Sequence, residues 1–81
     1  MASEIEIKTA IEKIDGRPSA WTIGVTDDPE RRRREHGNPS VWYQWNADSE
    51  RVARNVEAYF VDKGMKGDTG GGGSADYVYI F

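Results

Sequence analysis

Apolar residues recur at helical spacing in some segments of the chain and alternate with polar residues in others. A helical spacing runs through residues 4–14 and predicts an amphipathic helix. Its apolar positions are Ile7, Ala10, Ile11 and Ile14. Ser3 and Glu6 fit a capping box at its start. The alternation of Ile5 and Ile7 with charged neighbours leaves a strand as an alternative for the first few residues.

An alternating pattern follows over residues 20–26 and predicts a half-buried strand. Its two sides are Trp21, Ile23 and Val25, and Thr22, Gly24 and Thr26. Asp27 and Asp28 each offer a side-chain oxygen that can cap a helix over residues 29–36. Gly37 comes next and can end that helix in a left-handed conformation.

The second half of the chain repeats this strand-and-helix order. A strand is predicted over residues 41–45, with Val41, Tyr43 and Trp45 on one side and Trp42 and Gln44 on the other. Asp48 or Ser49 can cap a third helix over residues 49–63, and Gly64 can close it. The apolar positions of this helix are Val52, Ala53, Val56, Tyr59, Phe60 and Val61.

The order of elements predicts the fold class. A terminal strand over residues 77–81 completes the order α-β-α-β-α-β, which indicates one α+β domain, residues 1–81, with a small three-stranded sheet flanked by three helices. Residues 66–76 form a glycine-rich loop. We interpret this loop as a connector, since no Gly-Lys-Ser/Thr and no helix follow it as they would in a phosphate-binding loop.

Composition narrows the chemistry. The chain contains no cysteine, so disulfides, thiolate metal sites and cysteine nucleophiles are excluded, and a single histidine excludes a histidine-rich zinc site. The formal net charge of -3 argues against broad electrostatic attraction to nucleic acid. No apolar run reaches transmembrane length and the acidic N-terminus does not fit a signal peptide. We therefore expect a cytoplasmic protein without a membrane partner.

Four arginines at residues 31–34 lie on the predicted second helix among acidic neighbours. Such a mixed run is typical of a solvated helix face with intrahelical ion pairs. Arg32 has a further feature, because it precedes His36 by four residues and the two side chains share one face of the helix. An arginine and an imidazole fixed side by side can grip a phosphate or another anion.

The tripeptide Thr22-Ile23-Gly24, followed eight residues later by Arg32 and after four more by His36, resembles the second half of the signature of GIY-YIG nucleases. Nucleases of that family cut phosphodiester bonds in DNA with one divalent metal ion. They use two tyrosines, a helical arginine, often a histidine, and a glutamate on a later helix. The resemblance implies that Gly24 is the motif glycine, Arg32 the arginine and His36 the histidine. Thr22 stands where the second tyrosine belongs.

The resemblance also implies a GIY-YIG-like fold, in which a tyrosine-bearing strand lies beside the strand of the second motif. The upstream Gly-Ile-Tyr strand is absent here, since Ile11 stands eleven residues before Thr22, within the predicted first helix. A first strand rearranged to the end of the chain would bring Tyr77 or Tyr79 to that place.

Glu57 matches the family's late-helix glutamate, and the resemblance thereby implies that it is a ligand of Mg2+ or Mn2+. Its position, one turn after Ala53 and one before Val61, is the border of the apolar face of the third helix. A carboxylate there can be half buried and still reach a pocket. The alternative is a boundary glutamate paired with Arg54 or another surface arginine.

The remaining candidates each have two interpretations. His36 can act as a general base near neutral pH or cap the end of its helix. The Thr22 hydroxyl can hydrogen-bond a water or a phosphate, or Thr22 is an ordinary strand residue that faces a neighbour. Trp42 can stack on a base or fill the core.

These observations lead to three functional hypotheses. The first is a metal-dependent endonuclease acting on DNA, whose catalytic candidates are Arg32, His36, Glu57, Thr22 and Tyr79. The second, which we favour because Thr22 replaces a motif tyrosine, is a degenerate GIY-YIG-like domain that binds nucleic acid or phosphate and retains residual metal-dependent cleavage. The third is a non-catalytic protein-interaction domain with no nucleic-acid role.

Overall fold

The computed structural model describes residues 1–68 and 74–81, which form three α-helices, a short 3-10 helix and four strands. The α-helices are α1 (Glu4–Asp15), α2 (Pro29–Glu35) and α3 (Glu50–Asp62), and the 3-10 helix is Pro18–Ala20. The strands are β1 (Thr22–Thr26), β2 (Tyr43–Asn46), β3 (Lys66–Asp68) and β4 (Tyr77–Ile80). The α+β class is therefore confirmed, and the prediction of three strands is wrong.

The four described strands form one mixed sheet in the order β2-β4-β1-β3. Strand β4 is antiparallel to both β1 and β2, whereas β3 is parallel to β1. The additional strand, β3, lies within the predicted loop over residues 66–76. Lys66 and Gly67 show no apolar alternation, so this strand exists through its backbone pairing with β1. The part of the predicted loop at residues 69–73 lies outside the described residues.

The helix starts follow the predicted capping residues. The Ser3 and Glu6 side chains each accept a hydrogen bond from the other's backbone N–H, so the capping box is confirmed and the strand alternative is wrong. Asp28 caps α2 through the Arg31 N–H, and Ser49 caps α3. The largest boundary shifts, of two residues, are at the starts of two strands: β1 starts at Thr22 because the residues before it form the 3-10 helix and its cap, and β2 starts at Tyr43. The other predicted bounds differ by at most one residue.

The apolar core lies between one face of the sheet and the helices α1 and α3. Its fully buried members include Ile7, Ile11, Ile23, Val56, Phe60, Val78 and Ile80. These residues are the ones that helical spacing and strand alternation place on the inner faces. Val61, assigned to the apolar face of α3 by the same spacing, is 43% exposed. Among the described residues no helix is long and apolar enough to cross a bilayer.

Candidate functional site

A row of paired residues crosses the sheet on the face turned away from α1 and α3. Gln44 pairs with Tyr79, Tyr79 with Gly24, and Gly24 with Asp68. Directly paired residues point to the same side of a sheet, so these four share one face. Their neighbours in the strands, such as Ile23, point into the core. The row therefore forms the floor of a separate, polar surface.

Gly24 allows Tyr79 to lie flat along this row. A Cβ atom at Gly24 would overlap the phenol oxygen and ring of Tyr79. Because glycine has no side chain, the phenol crosses β1 and donates a hydrogen bond to the Asp68 carboxylate on the strand beyond. Gly24, which the resemblance gives as the motif glycine, is thus the residue over which the Tyr79 ring passes.

Helix α2 covers the same surface and brings the Arg32 guanidinium and the His36 imidazole to it. Arg32 and His36 lie one helical turn apart, and His36 follows α2 as its C-terminal cap. The Arg32 side chain is 12% exposed, whereas Arg31 pairs with Asp27 on the outer side of the helix. Gly37 follows with a φ of 78°, so the helix ends as predicted. The spacing prediction for Arg32 and His36 is confirmed.

Three donors converge on one oxygen atom, Oδ2 of Asp68. Arg32 Nη2 lies 2.6 Å from it and His36 Nε2 lies 2.7 Å from it, and the Tyr79 hydroxyl also donates to it. Arg32 Nε donates to the Tyr79 oxygen over 3.4 Å. Its third nitrogen, Nη1, donates to Glu35 at 2.6 Å. We call Arg32, His36 and Tyr79 the donor cluster.

The donor cluster keeps Asp68 ionised. Burial of this carboxyl acts to raise its pKa, but hydrogen bonds from Tyr79, Arg32 and His36 outweigh burial and lower the pKa to about 2. An ionised carboxylate can only accept, so His36 Nε2 must carry the proton of their hydrogen bond. The 3.5 Å between Arg32 Nη2 and His36 Nε2 is then the separation of two donors that share an acceptor.

The same contacts determine the protonation states of Tyr79 and Arg32. Burial raises the pKa of Tyr79, and its hydrogen bond to Asp68 raises it further, so the phenol is a neutral donor at neutral pH. The hydrogen bond to the Tyr79 oxygen raises the pKa of Arg32, with Asp68 and Glu35 adding to this effect. The Arg32 guanidinium is therefore always charged.

Aromatic rings border the donor cluster. The Trp42 ring stacks on Tyr79 with centroids 4.7 Å apart and 10° between the planes. The Phe81 ring packs against the His36 ring with centroids 4.5 Å apart, and its centroid lies 5.3 Å from that of Trp42. Trp42 Nε1 donates to Gln44 at 2.9 Å, which holds the indole over the row. Trp42 is half-buried, so part of this residue faces solvent at the border of the donor cluster.

Thr22 lies on the same sheet face but outside the donor cluster. Its backbone N–H donates to the Phe81 carbonyl at 2.8 Å and its carbonyl accepts from Phe81. Within the described residues its hydroxyl makes no hydrogen bond. Its position fits the interpretation of an ordinary strand residue.

Glu57 lies on α3, which packs on the opposite face of the sheet, and it makes no hydrogen bond or ion pair with any described residue. Its predicted partner Arg54 instead pairs with Glu50 at 3.0 Å. Burial raises the pKa of Glu57, Arg54 opposes this, and the Asp68 charge adds to it. Glu57 therefore has no hydrogen bond or ion pair with the donor cluster, and of the residues of the site only Asp68 acts on its pKa, through its charge. In residues 1–68 and 74–81 no group of three or more acidic or histidine side chains could hold a metal ion.

Sequence reasoning missed Asp68, the residue at the centre of the site. It assigned Asp68 to a loop because Lys66, Gly67 and Asp68 carry no periodic pattern. Its only sequence signal is position, shortly after the glycine that closes α3. Comparisons of the chain with protein-family models, with curated proteins and with solved structures found no match. The functional argument therefore starts from the geometry of the donor cluster.

Proposed function

We propose that this domain is a degenerate GIY-YIG-like module that binds nucleic acid by gripping a backbone phosphate with Arg32, His36 and Tyr79. The observation that carries the proposal is the convergence of these three donors on a single anionic oxygen. A non-bridging phosphate oxygen is also anionic and accepts the same charge-assisted hydrogen bonds.

The strand arrangement supports the likeness to the family. Tyr79 lies on the strand that pairs antiparallel with β1 and stands directly opposite Gly24. That is the place that the resemblance gives to a tyrosine from a rearranged first strand. Tyr77, the alternative tyrosine, pairs with Thr26 at the other end of the strand pair and has no hydrogen bond to the donor cluster.

The aromatic border supports nucleic acid over a small anion. Trp42 stacks on Tyr79 of the donor cluster and is only half-buried, so part of its side chain remains available to a base of a bound strand. Stacking on aromatic side chains is the usual way in which single strands are held without sequence preference. Since the net charge is -3, attraction is local to the cluster and the affinity is expected to be modest.

Residual metal-dependent cleavage is the second part of the proposal. Glu57 would be a ligand of Mg2+ or Mn2+, which would supply Lewis-acid assistance to phosphodiester cleavage. A Glu57→Gln substitution should then abolish any Mg2+-dependent nicking and leave binding in the presence of a chelator unchanged.

The test of phosphate binding uses two arginines on one helix. Arg32→Ala and Arg34→Ala remove the same charge, but only Arg32 belongs to the donor cluster and Arg34 is exposed. Anisotropy of a short labelled single-stranded DNA should show at least about a tenfold loss for Arg32→Ala, since charged hydrogen bonds contribute about 1.5–3 kcal/mol. Arg34→Ala should change affinity by less than about threefold.

Two outcomes would contradict the proposal. Equal losses for both variants would indicate a diffuse positive patch, and no binding by the unmodified protein would favour the protein-interaction hypothesis. Arg32→Lys serves as a second variant that keeps the charge but removes the planar fork. Circular dichroism of each variant shows whether the fold is retained.

A further inference from the structure

We infer that Asp68 is an internal competitor for the anion site: its carboxylate occupies the position of the phosphate, and nucleic acid binds when that carboxylate moves aside. The inference rests on the proposed function. It follows from the fact that all three donors already share one acceptor oxygen of the chain itself.

A phosphate and the Asp68 carboxylate exclude each other at this site. Both are anionic acceptors, and their charges would repel strongly at hydrogen-bonding distances in a region where Arg32 and Asp68 are 12% and 14% exposed. While Asp68 stays in place, the Tyr79 hydroxyl and one N–H of Arg32 Nη2 already donate to it and are not available to a phosphate. Displacement of the Asp68 carboxylate breaks those hydrogen bonds, and the same donors then make equivalent ones to the phosphate.

The position of Asp68 makes displacement structurally inexpensive. It is the last residue of β3, a strand of three residues that lies at the sheet edge and pairs with β1 alone. Lys66 and Gly67 beside it are exposed, so the strand contributes little to the core. No residue of β3 belongs to the apolar core, so rotation of the Asp68 side chain away from the row would displace no core side chain.

The inference predicts that removal of a site carboxylate strengthens binding. Asp68→Ala empties the position, and Asp68→Asn keeps the shape while removing the charge. The matched control is Asp62→Asn, which makes the same charge change at an exposed position on α3. The probes are a labelled single-stranded DNA oligonucleotide followed by anisotropy, and inorganic phosphate followed by NMR shifts of His36 and the Arg32 side chain.

We expect Asp68→Ala to bind the oligonucleotide about tenfold more tightly, which corresponds to about 1.4 kcal/mol. Asp68→Asn should give a smaller gain in the same direction, and Asp62→Asn should stay within about twofold of the unmodified protein because its charge is remote and screened. Inorganic phosphate should shift the His36 resonances at lower concentration in Asp68→Ala than in the unmodified protein.

The outcomes separate this inference from the proposed function. Equal affinity of Asp68→Ala and the unmodified protein would overturn the inference and leave phosphate binding standing. Weaker binding by both Asp68 variants would also overturn it, because Asp68 would then be a positioning residue that orients Arg32 and His36. If no variant bound either probe, both proposals would fall. Because the amide of Asp68→Asn preserves the shape, loss of the fold in Asp68→Ala would still leave a decisive variant.

Discussion

The two faces of the sheet are built by different rules. On one face, which we call the apolar face, α1 and α3 enclose fully buried aliphatic and aromatic side chains such as Ile11 and Phe60. On the other, which we call the polar face, a shorter helix, α2, encloses hydrogen-bonded polar groups around Asp68. Packing is non-directional, so the first face tolerates exchange of similar side chains, whereas the second depends on donors at fixed positions. We therefore expect the first face to contribute most of the free energy of unfolding, and the second face to determine which ligand the protein binds.

The largest expected effect lies in the apolar face. Phe60→Ala removes a side chain that is 1% exposed, and such truncations destabilise by about 3–5 kcal/mol. In a chain of 81 residues this is a large part of the total free energy of unfolding. Urea denaturation should show it, with Val61→Ala on the exposed side of α3 as the control. A loss below about 1 kcal/mol for Phe60→Ala would refute the division between the faces.

The same contrast explains what could be predicted from sequence. The apolar face follows from local patterns: the spacing of Ile7 and Ile11 predicted α1, and of the two predicted caps of α3, Asp48 and Ser49, the structure has Ser49. The polar face depends on pairing between distant strands. Arg32 and His36 were predictable because their spacing is local to one helix.

The positions of Asp68 and Tyr79 in the site could not be predicted from local spacing. Strand β3 has no local pattern and forms only against β1, so its carboxylate could not be assigned. Tyr79 was reached only through the idea of a rearranged strand. Glu57 was proposed from its place at the border of the apolar side of the third helix and from the resemblance. The structure has it on α3, which packs against the opposite face of the sheet.

The contact between Gly24 and Tyr79 offers a sharper test of the polar face. Gly24→Ala would force its Cβ into the phenol ring, and such overpacking costs about 1–3 kcal/mol. The Tyr79 hydrogen bond to Asp68 would be lost with the displaced ring. In a Tyr79→Ala background the same substitution should cost much less, because the ring is gone. A double-mutant cycle by thermal unfolding measures this coupling, and additive effects would contradict the overlap.

The charge on Asp68 makes the stability of the polar face depend on pH. Its pKa is lowered from 3.8 to about 2 in the folded protein, so its stabilisation is complete above the unfolded value and is lost as the pH falls from about 4 through about 2. The shift corresponds to at most about 2 kcal/mol, because solvent screens part of the interaction. Denaturation at a series of pH values should show this loss, and Asp68→Asn should flatten that part of the profile. An unchanged profile in Asp68→Asn would assign the acid sensitivity to other carboxyl groups.

The smallest effect comes from the side of α2 that belongs to neither face. Arg31 pairs with Asp27 at 3.2 Å and with Glu35 at 4.0 Å, and all three side chains are more than 40% exposed. Exposed pairs of this kind contribute about 0.2–1 kcal/mol and weaken with salt. Arg31→Ala should therefore lower the free energy of unfolding slightly at low salt and have almost no effect at high salt. Arg32→Ala should destabilise at both salt concentrations, because it leaves Asp68 with a buried charge and fewer donors. Equal salt sensitivity of the two variants would mean that the Arg32 contacts are as solvated as those of Arg31, and the polar face would lose its distinction from the outer surface of its own helix.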